Sequence, residues 1–372
     1  MALQMTGLYL HIPFCRTRCH YCDFVITTGR SSSGKRVFLD ALASEAAYYA
    51  PAFAKKKFDT LYFGGGTPSQ LDPAEWVRLF EILRKYYSFT RTAEITVEAN
   101  PGDVSTEKAR ALKALGVNRV SLGAQSFNEA TLEKINRSHG ARAIGEAFGN
   151  FRKAGITNIS ADLMLALPGE TAADVKRSVK ELLKLGPKHI SLYELVVHEK
   201  TVFGALQKKK RLALPDEDAS LEMLLFARGA FKKAGYRHYE LLSYAKPGYE
   251  SRHNHIYWAN AEYLGLGPGA FSYIDGRRFQ LAGSVEEYLK KMKAGDFSAR
   301  EEETLSKEAR EAESFVLALR LLKGVPKQKF RRVISRKKDT IRELIAKGLL
   351  NEKFALTERG QLFAETVFSE LA

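Results

Sequence analysis

Short apolar runs alternate with helical patterns over the first two hundred residues of this chain. Six runs have the length and β-branched composition of buried strands: residues 8–12, 60–63, 94–98, 119–123, 160–165 and 189–195. Five stretches between them place apolar residues at helical spacing: 35–49, 73–87, 106–115, 141–154 and 172–185. Strand–helix units in succession predict an α/β fold, with a parallel sheet that right-handed crossovers wrap into a partial (β/α)6 barrel.

The pattern changes after residue 214. Residues 215–299 combine one long helical stretch with several short strands, and residues 300–372 are mostly helical. We therefore predict three units: a barrel over 1–214, a β-containing extension over 215–299 and a small C-terminal helical domain over 300–372. The order helix, extended piece, helix over 340–371 resembles a winged helix, and a packing domain with no role in nucleic-acid binding is the simpler interpretation.

All three cysteines of the 372-residue chain lie within eight positions, as Cys15, Cys19 and Cys22. This CxxxCxxC loop supplies three thiolates, which suits a [4Fe–4S] cluster with one iron left without a protein ligand. Because structural clusters and zinc sites usually take four protein ligands, an open iron indicates a place where a small molecule binds. A zinc site completed by His11 or His20 is the alternative. Thiolates that hold iron and sulfide require a reducing compartment, which predicts a cytoplasmic protein.

Further polar residues lie at the carboxyl ends of the predicted strands, where α/β barrels carry their chemistry. The GGGTP segment at residues 64–68 follows the second strand, Glu98 closes the third, Gln125 lies just past the fourth, and Asp162 lies in the fifth. Glycines let a backbone approach a ligand closely, and a carboxylate can accept hydrogen bonds from a ribose. An ordinary turn and an ion-paired or helix-capping glutamate are the alternatives. Arg137 can pair with a carboxylate, although a lone arginine is more often a surface charge.

The formal net charge of +15 is concentrated in a few segments. Residues 323–347 carry ten Lys or Arg against only Asp339 and Glu343. Such a surface is compatible with nucleic acid, an anionic membrane surface or an anionic small molecule, and a solvated face is the simpler interpretation. Residues 1–14 are too short and too weakly apolar for a signal peptide, and no apolar run approaches the ~18 residues that span a bilayer. We therefore expect no transmembrane segment.

The loop from His11 to Cys22 resembles the cluster loop of the radical S-adenosylmethionine (SAM) superfamily. A narrower resemblance covers essentially the whole chain. It is to the family that contains the oxygen-independent coproporphyrinogen III oxidase and a haem chaperone (the HemW-type branch). It rests on the motifs YLHIPF, FGGGTP, VEANPG, SLGAQSF, INR and ADLMLALPG, which begin at residues 9, 63, 97, 121, 135 and 161.

This resemblance implies a [4Fe–4S] cluster whose open iron is chelated by SAM. It also implies a SAM site formed by eight residues: Tyr9, Gly65, Gly66, Thr67, Glu98, Gln125, Arg137 and Asp162. Tyr21 is expected beside the cluster. Ala166 stands where the family often has glycine, and Glu170 stands where it often has glutamine.

Two features favour the haem-chaperone branch over the oxidase. The oxidase motif continues as CxxxCxxCxC, whereas this chain has Phe24, and the oxidase carries an N-terminal extension before its first barrel strand. The segment HNHIYW resembles the HNxxYW motif of the chaperone branch, which implies haem contacts by His253, His255, Tyr257 and Trp258. A neutral imidazole is a common axial ligand of haem iron. A buried, hydrogen-bonded histidine and a core tryptophan in a β region is the alternative.

The sequence thus predicts a cytoplasmic haem chaperone that binds a [4Fe–4S] cluster and SAM and delivers haem to an acceptor protein, which can be membrane-associated. An electron donor such as flavodoxin or ferredoxin is expected, and no specific nucleic-acid partner is expected. The main alternative is a coproporphyrinogen III oxidase, which decarboxylates porphyrinogen propionates by radical chemistry. A radical SAM enzyme that modifies RNA is a third hypothesis. Whether the protein is an enzyme stays open, because the SAM motifs are complete while the oxidase features are missing.

Overall fold

The computed structural model describes residues 5–29 and 31–372. Its strands are β1 Gly7–Ile12, β2 Phe14–Cys15, β3 Thr27–Thr28, β4 Lys57–Gly65, β5 Ser88–Ala99, β6 Arg119–Gln125, β7 Asn158–Leu165, β8 His189–Glu194, β9 Arg237–Glu240, β10 Ser243–Ala245, β11 Tyr263–Leu266, β12 Phe271–Ile274, β13 Arg277–Gln280 and β14 Glu301–Thr304. Its α-helices are α1 Ser32–Phe53, α2 Pro73–Tyr86, α3 Thr106–Ala114, α4 Glu129–Lys134, α5 Ala141–Lys153, α6 Ala172–Leu185, α7 Val202–Lys208, α8 Glu217–Lys233, α9 Arg252–Trp258, α10 Val285–Ala294, α11 Lys307–Ala318, α12 Arg331–Arg336, α13 Lys338–Ala346, α14 Glu358–Leu362 and α15 Ala364–Leu371.

Twelve of these strands form one sheet, in the order β14-β13-β12-β11-β1-β4-β5-β6-β7-β8-β10-β9. The six central strands, from β1 to β8, pair in parallel with helices between them, which confirms the predicted α/β fold. Strand β11 adds a parallel partner on the far side of β1, and antiparallel strands extend both edges. The order has two ends, so the sheet is a partial barrel. Its carboxyl edge brings the loops after β1, β4, β5, β6, β7 and β8 together.

Helix α2 shows how local sequence sets these elements. Asp72 and Glu75 form a capping box, in which the backbone N–H of each residue donates to the other's carboxylate over 2.9 Å. Pro73 occupies the first turn, where its missing N–H costs no hydrogen bond. Apolar residues at helical spacing then turn one face toward the sheet and are buried: Trp76, Leu79, Phe80 and Leu83.

The C-terminal helices α11 to α15 have an apolar core of their own. Phe315, Leu344 and Val367 lie at its centre and are fully buried. An antiparallel bridge between Leu350 and Leu356 lies between α13 and α14, so the helix, extended piece, helix order of the sequence is present. None of the helices in the described residues combines the length and the apolar character that crossing a bilayer requires.

Candidate functional site

The three cysteines lie on one braced loop at the carboxyl edge of the sheet. Cys15 ends β2, and Cys19 and Cys22 follow in the loop, where the Cys22 amide donates to the Cys19 carbonyl over 3.1 Å. The Arg18 guanidinium donates to the carbonyls of Cys22 and Phe24, and the Asn136 side chain donates to the Arg18 carbonyl over 2.8 Å. All three thiols are free and partly exposed. The loop therefore holds its thiols open to one side.

That side is a cavity of about 390 Å³ lined by all three cysteines. The described residues contain no group of three or more Cys, His, Asp or Glu side chains placed to hold a single metal ion. Three thiols on one cavity suit a cluster, in which each cysteine binds a different iron.

Neither histidine of the zinc alternative lines the cysteine cavity. His11 Nε2 donates to the Val25 carbonyl over 2.7 Å, and its Nδ1 lies 3.3 Å from the Tyr9 hydroxyl. His20 Nδ1 donates to the Lys134 carbonyl over 2.9 Å. The geometry therefore favours the cluster over zinc.

The protein environment alone does not make Cys15 or Cys22 a thiolate. Burial raises the pKa of Cys15 to about 11, although the Thr67 hydroxyl, 3.3 Å from its sulfur, acts in the opposite direction. Burial also raises the pKa of Cys22. Since metal ligation requires thiolates, binding of iron must supply the charge that removes these protons.

Arg137 joins the cysteine loop to the sheet. Its Nη2 donates to the Gly123 carbonyl over 2.8 Å, and its Nη1 lies 3.5 Å from Cys19 Sγ. Its Nε is buried without a partner among the described residues, and so is Gln125 Oε1 on the same cavity wall. Buried polar atoms without a partner cost free energy unless a ligand or water satisfies them. The wall thus has a donor and an acceptor to offer to a polar ligand such as SAM.

The glycine segment after β4 packs directly on the cysteine loop. The Gly66 amide donates to the Ile12 carbonyl over 2.9 Å, and the Thr67 amide donates to the Phe14 carbonyl over 2.7 Å. A Cβ on Gly65, whose φ is 104°, would lie 2.6 Å from the His11 ring. Glycine is therefore required here by the close approach of the two loops, as well as leaving backbone accessible to a ligand.

Two acidic side chains face the same cavity from β5 and β7, the strands on either side of β6. Glu98 accepts a hydrogen bond from the Tyr62 hydroxyl over 2.8 Å, and burial raises the pKa of Glu98 to about 7. Asp162 accepts a hydrogen bond from the Ser121 hydroxyl over 3.2 Å, and burial likewise raises its pKa. Both groups can accept hydrogen bonds from ribose hydroxyls at the carboxyl ends of β5 and β7.

The structure brings nearly all of the SAM residues expected from the sequence to this cavity. They are Tyr21, Gly65, Gly66, Thr67, Glu98, Gln125, Arg137 and Asp162. Tyr9 does not line it: its ring stacks on Tyr62, 6.1 Å away between centroids, and lies 6.4 Å from His253. Sequence reasoning missed four other lining residues: Asn100, Ser138, Tyr193 and His198. Asn100 directly follows β5, and Tyr193 and His198 lie at and after the end of β8, positions that could have signalled them.

The HNxxYW motif lies on helix α9, away from the cysteine cavity and not in a β region. His253 is 1% exposed. Its Nδ1 lies 2.6 Å from the Thr60 hydroxyl, and its Nε2 lies 2.8 Å from the Tyr257 hydroxyl. Both imidazole nitrogens are therefore occupied, and His253 is not open to haem iron in this structure. The alternative of a buried, hydrogen-bonded histidine describes its geometry.

The other two motif residues are placed differently. The imidazole of His255 is partly exposed and has no hydrogen-bond partner in the part of the chain that the structure describes. The Trp258 ring packs under the Arg320 guanidinium, 4.3 Å away, and so contacts the segment that follows α11. Within the motif, His255 is the histidine that an added ligand can reach.

Comparisons with known proteins show the superfamily and the fold of this chain. The family model of the radical SAM superfamily matches residues 9–182. Superfamily members use a [4Fe–4S] cluster and SAM, and the cavity residues fit both. The coproporphyrinogen III oxidase HemN from Escherichia coli has a similar structure, with a TM-score of 0.87 and 23% sequence identity over 99% of this chain and 90% of that one. At this identity the likeness shows the fold alone.

The relatives that match this chain in sequence over its full length belong to a different branch from the oxidase HemN. The protein named Heme chaperone HemW in Lactococcus lactis subsp. lactis is 38% identical, over 100% of this chain and 98% of its own. The Bacillus subtilis and Escherichia coli proteins of the same name are 36% and 31% identical, each over 98% of this chain. The oxidase alternative is not favoured by these matches. The chain belongs to the HemW haem-chaperone family of the radical SAM superfamily.

Proposed function

We propose that this protein carries haem and passes it to an acceptor protein, and that it binds a [4Fe–4S] cluster through Cys15, Cys19 and Cys22 and SAM in the adjoining cavity. The observation that carries the proposal is the full-length match to HemW proteins in a chain whose three cysteines all line one cavity. Delivery of haem rather than oxidation of a porphyrinogen also agrees with Phe24, which is 58% exposed at the position where the oxidase has a further cysteine.

When bound, the cluster supplies an open iron that holds SAM and an electron that can cleave it. Arg137 places a fixed positive charge beside Cys19, which lowers the electrostatic cost of gathering thiolates on one loop. Gln125 Oε1 and Arg137 Nε offer an acceptor and a donor to the polar end of SAM. Glu98 and Asp162 hold their positions through Tyr62 and Ser121 and accept from hydroxyl groups.

Haem is the cargo in this proposal. The motif on α9 is proposed to contribute to its binding, and of its residues His255 retains an accessible imidazole. The function does not depend on which side chain ligates the iron, because a chaperone needs a stable and reversible complex rather than one particular ligand.

Two partners follow from this function. One is a haem-accepting protein, which can be membrane-associated. The other is an electron donor such as flavodoxin or ferredoxin. Arg16 and Arg18 lie on the exposed cysteine loop, and their charge suits a small acidic donor. We place the protein in the cytoplasm, because a reducing compartment keeps its three cysteines available for iron.

The test is an anaerobic titration of the cluster-reconstituted protein with haem, followed through the Soret band. We expect saturable, stoichiometric binding and transfer of the haem to an apo-haemoprotein. Binding no tighter than that of an unrelated protein of equal pI would overturn the proposal. Anaerobic conversion of coproporphyrinogen III to protoporphyrinogen IX would replace it with the oxidase.

A further inference from the structure

A second cavity, of about 770 Å³, lies between the HNxxYW helix α9 and the C-terminal helices. One wall is formed by Ile256 on α9 and by Ala259 and Asn260, which follow the helix. Strand β12 adds Tyr273, and α11 with the residues before α12 forms the opposite wall. The volume falls within the roughly 300–1,000 Å³ typical of small-molecule sites.

The opposite wall carries uncompensated positive charge. Lys307 and Arg310 on α11 and Lys329 before α12 all line the cavity. Within residues 5–29 and 31–372, none of the three side chains has an ion-pair partner. Three such cations around one cavity favour a ligand with more than one negative group.

The acidic residues of the lining do not cancel this charge. Glu262 is paired with Lys56, which lies outside the cavity. Glu311 is paired with Arg332 and Arg336, which also lie outside it. Asp275 is the remaining lining acid. The cations that face the cavity therefore outnumber the acids left to neutralise them.

The floor of the cavity is apolar and partly aromatic. Tyr273 and Phe330 are 3% and 4% exposed, so their rings are fixed by packing. Met5 lies on the same lining. Flat rings beside a thioether suit a planar apolar molecule, and the cations at the rim suit carboxylates on one of its edges.

We propose that this cavity holds the haem cargo, with its two propionates at Lys307, Arg310 and Lys329 and its macrocycle against Tyr273 and Phe330. The inference rests on the proposed function and adds a place for the cargo. In the described residues no histidine lines the cavity. Met5 is a lining side chain that can ligate haem iron, while α9 contributes a wall rather than its histidines.

The test compares two ligands on three proteins. The proteins are the wild type, the variant Lys307→Ala/Arg310→Ala/Lys329→Ala, and a control variant Lys232→Ala/Lys233→Ala/Lys293→Ala, whose positions line neither cavity. The ligands are haem and its dimethyl ester, which lacks the propionate charges. We expect the cavity variant to bind haem at least tenfold more weakly than the wild type and the control variant do. We expect the ester to bind the wild type and the cavity variant equally.

The outcomes separate this inference from the function. A wild type that binds no haem beyond an unrelated basic protein overturns the proposed function. If the wild type and the cavity variant bind haem with equal affinity, the inference is overturned and the proposed function stands. The same holds if the cavity variant and the control variant lose haem affinity equally. Loss of the iron-linked absorption shift in His255→Ala alone would move the haem to the other face of α9. If the cavity variant does not fold, equal binding of haem and ester by the wild type still refutes the inference.

Discussion

The imidazole of His253 lies 2.6 Å from the hydroxyl of Thr60, although the two residues are 193 positions apart in the chain. Thr60 belongs to the barrel strand β4, and His253 belongs to α9. The second imidazole nitrogen is hydrogen bonded to the Tyr257 hydroxyl, and burial lowers the pKa of His253 to about 3. His253 is thus a neutral side chain that links the barrel strand β4 to the motif helix α9 by hydrogen bonds.

We therefore expect His253→Ala to reduce the free energy of unfolding by about 3 to 5 kcal/mol, since it leaves two buried hydroxyls unpaired and creates a void. Tyr257→Phe removes one of the hydrogen bonds with little change in volume and should cost about 1 to 2 kcal/mol. Chemical denaturation measures both. Haem stoichiometry of folded His253→Ala should equal that of the wild type. A variant of unchanged stability that no longer binds haem would assign the iron to His253 instead.

Glu45 predicts a pH dependence of stability. It is 1% exposed, and its carboxylate accepts hydrogen bonds from the Gly267 amide over 2.8 Å and the Tyr288 hydroxyl over 2.7 Å. Burial raises the pKa of Glu45 from 4.5 to about 7. Because the folded protein binds this proton more tightly than the unfolded chain, the free energy of unfolding is highest below pH 4.5, where Glu45 is protonated in the folded and the unfolded state. It falls as the pH rises from 4.5 to 7.

Glu45→Gln should accordingly remove part of the pH slope. The difference in unfolding free energy, variant minus wild type, should rise by about 3 kcal/mol between pH 4.5 and pH 7 and stay constant above that. Urea denaturation at several pH values gives this difference. Glu81→Gln, at an exposed position on α2, serves as the control and should show no such rise. A flat difference for Glu45→Gln would mean that Glu45 has the same pKa in both states.

Ala166 occupies a position where the backbone favours glycine. Its φ is 58°, in the left-handed region, which accounts for the glycine that the family often has there. Replacement of Ala166 by glycine relieves about 1 to 2 kcal/mol of backbone strain. This gain should offset two losses, the burial of the alanine methyl group and the lower conformational entropy of the unfolded chain that alanine provides. We expect Ala166→Gly to stay within about 0.5 kcal/mol of the wild type in thermal unfolding.

Ala161→Gly is the matched control for this change. Ala161 is also buried and lies in β7, the strand that ends just before Ala166, with no positive φ to relieve. It should lose about 1.5 to 2 kcal/mol. Equal losses at the two positions would show that Ala166 carries no strain.

The cysteine loop makes a prediction about metal content. After anaerobic reconstitution, Cys19→Ser should lose most of the iron and visible absorption of the wild type, because only two thiolates remain for the cluster. His20→Ala should retain the iron, since His20 is not among the residues that line the cysteine cavity. Iron and zinc analysis of the three proteins measures both. Stoichiometric zinc in the wild type that disappears in His20→Ala would restore the zinc interpretation.

The parallel sheet and the cysteine site could be predicted from the sequence because their determinants are local. Apolar runs of strand length, caps such as Asp72 with Glu75, and three cysteines within eight positions are each specified over a few residues. Parallel strands then bring their carboxyl ends to one edge, which gathers Glu98, Gln125 and Asp162 without further information.

Tertiary structure decided which neighbours each side chain meets across long separations. Tyr9 belongs to β1, the strand that leads into the cysteine loop, yet its ring stacks on Tyr62 and does not line the cavity. The alternation of a strand sets the face to which a side chain points, and only packing fixes its neighbours on that face. His253 and His255 are two positions apart on a helix, so they face different surroundings, one the interior and one an accessible surface. The second cavity, of about 770 Å³, is lined by a residue of α9 together with Lys307 and Lys329. Such contacts depend on how the C-terminal helices dock on the sheet, which local spacing does not encode.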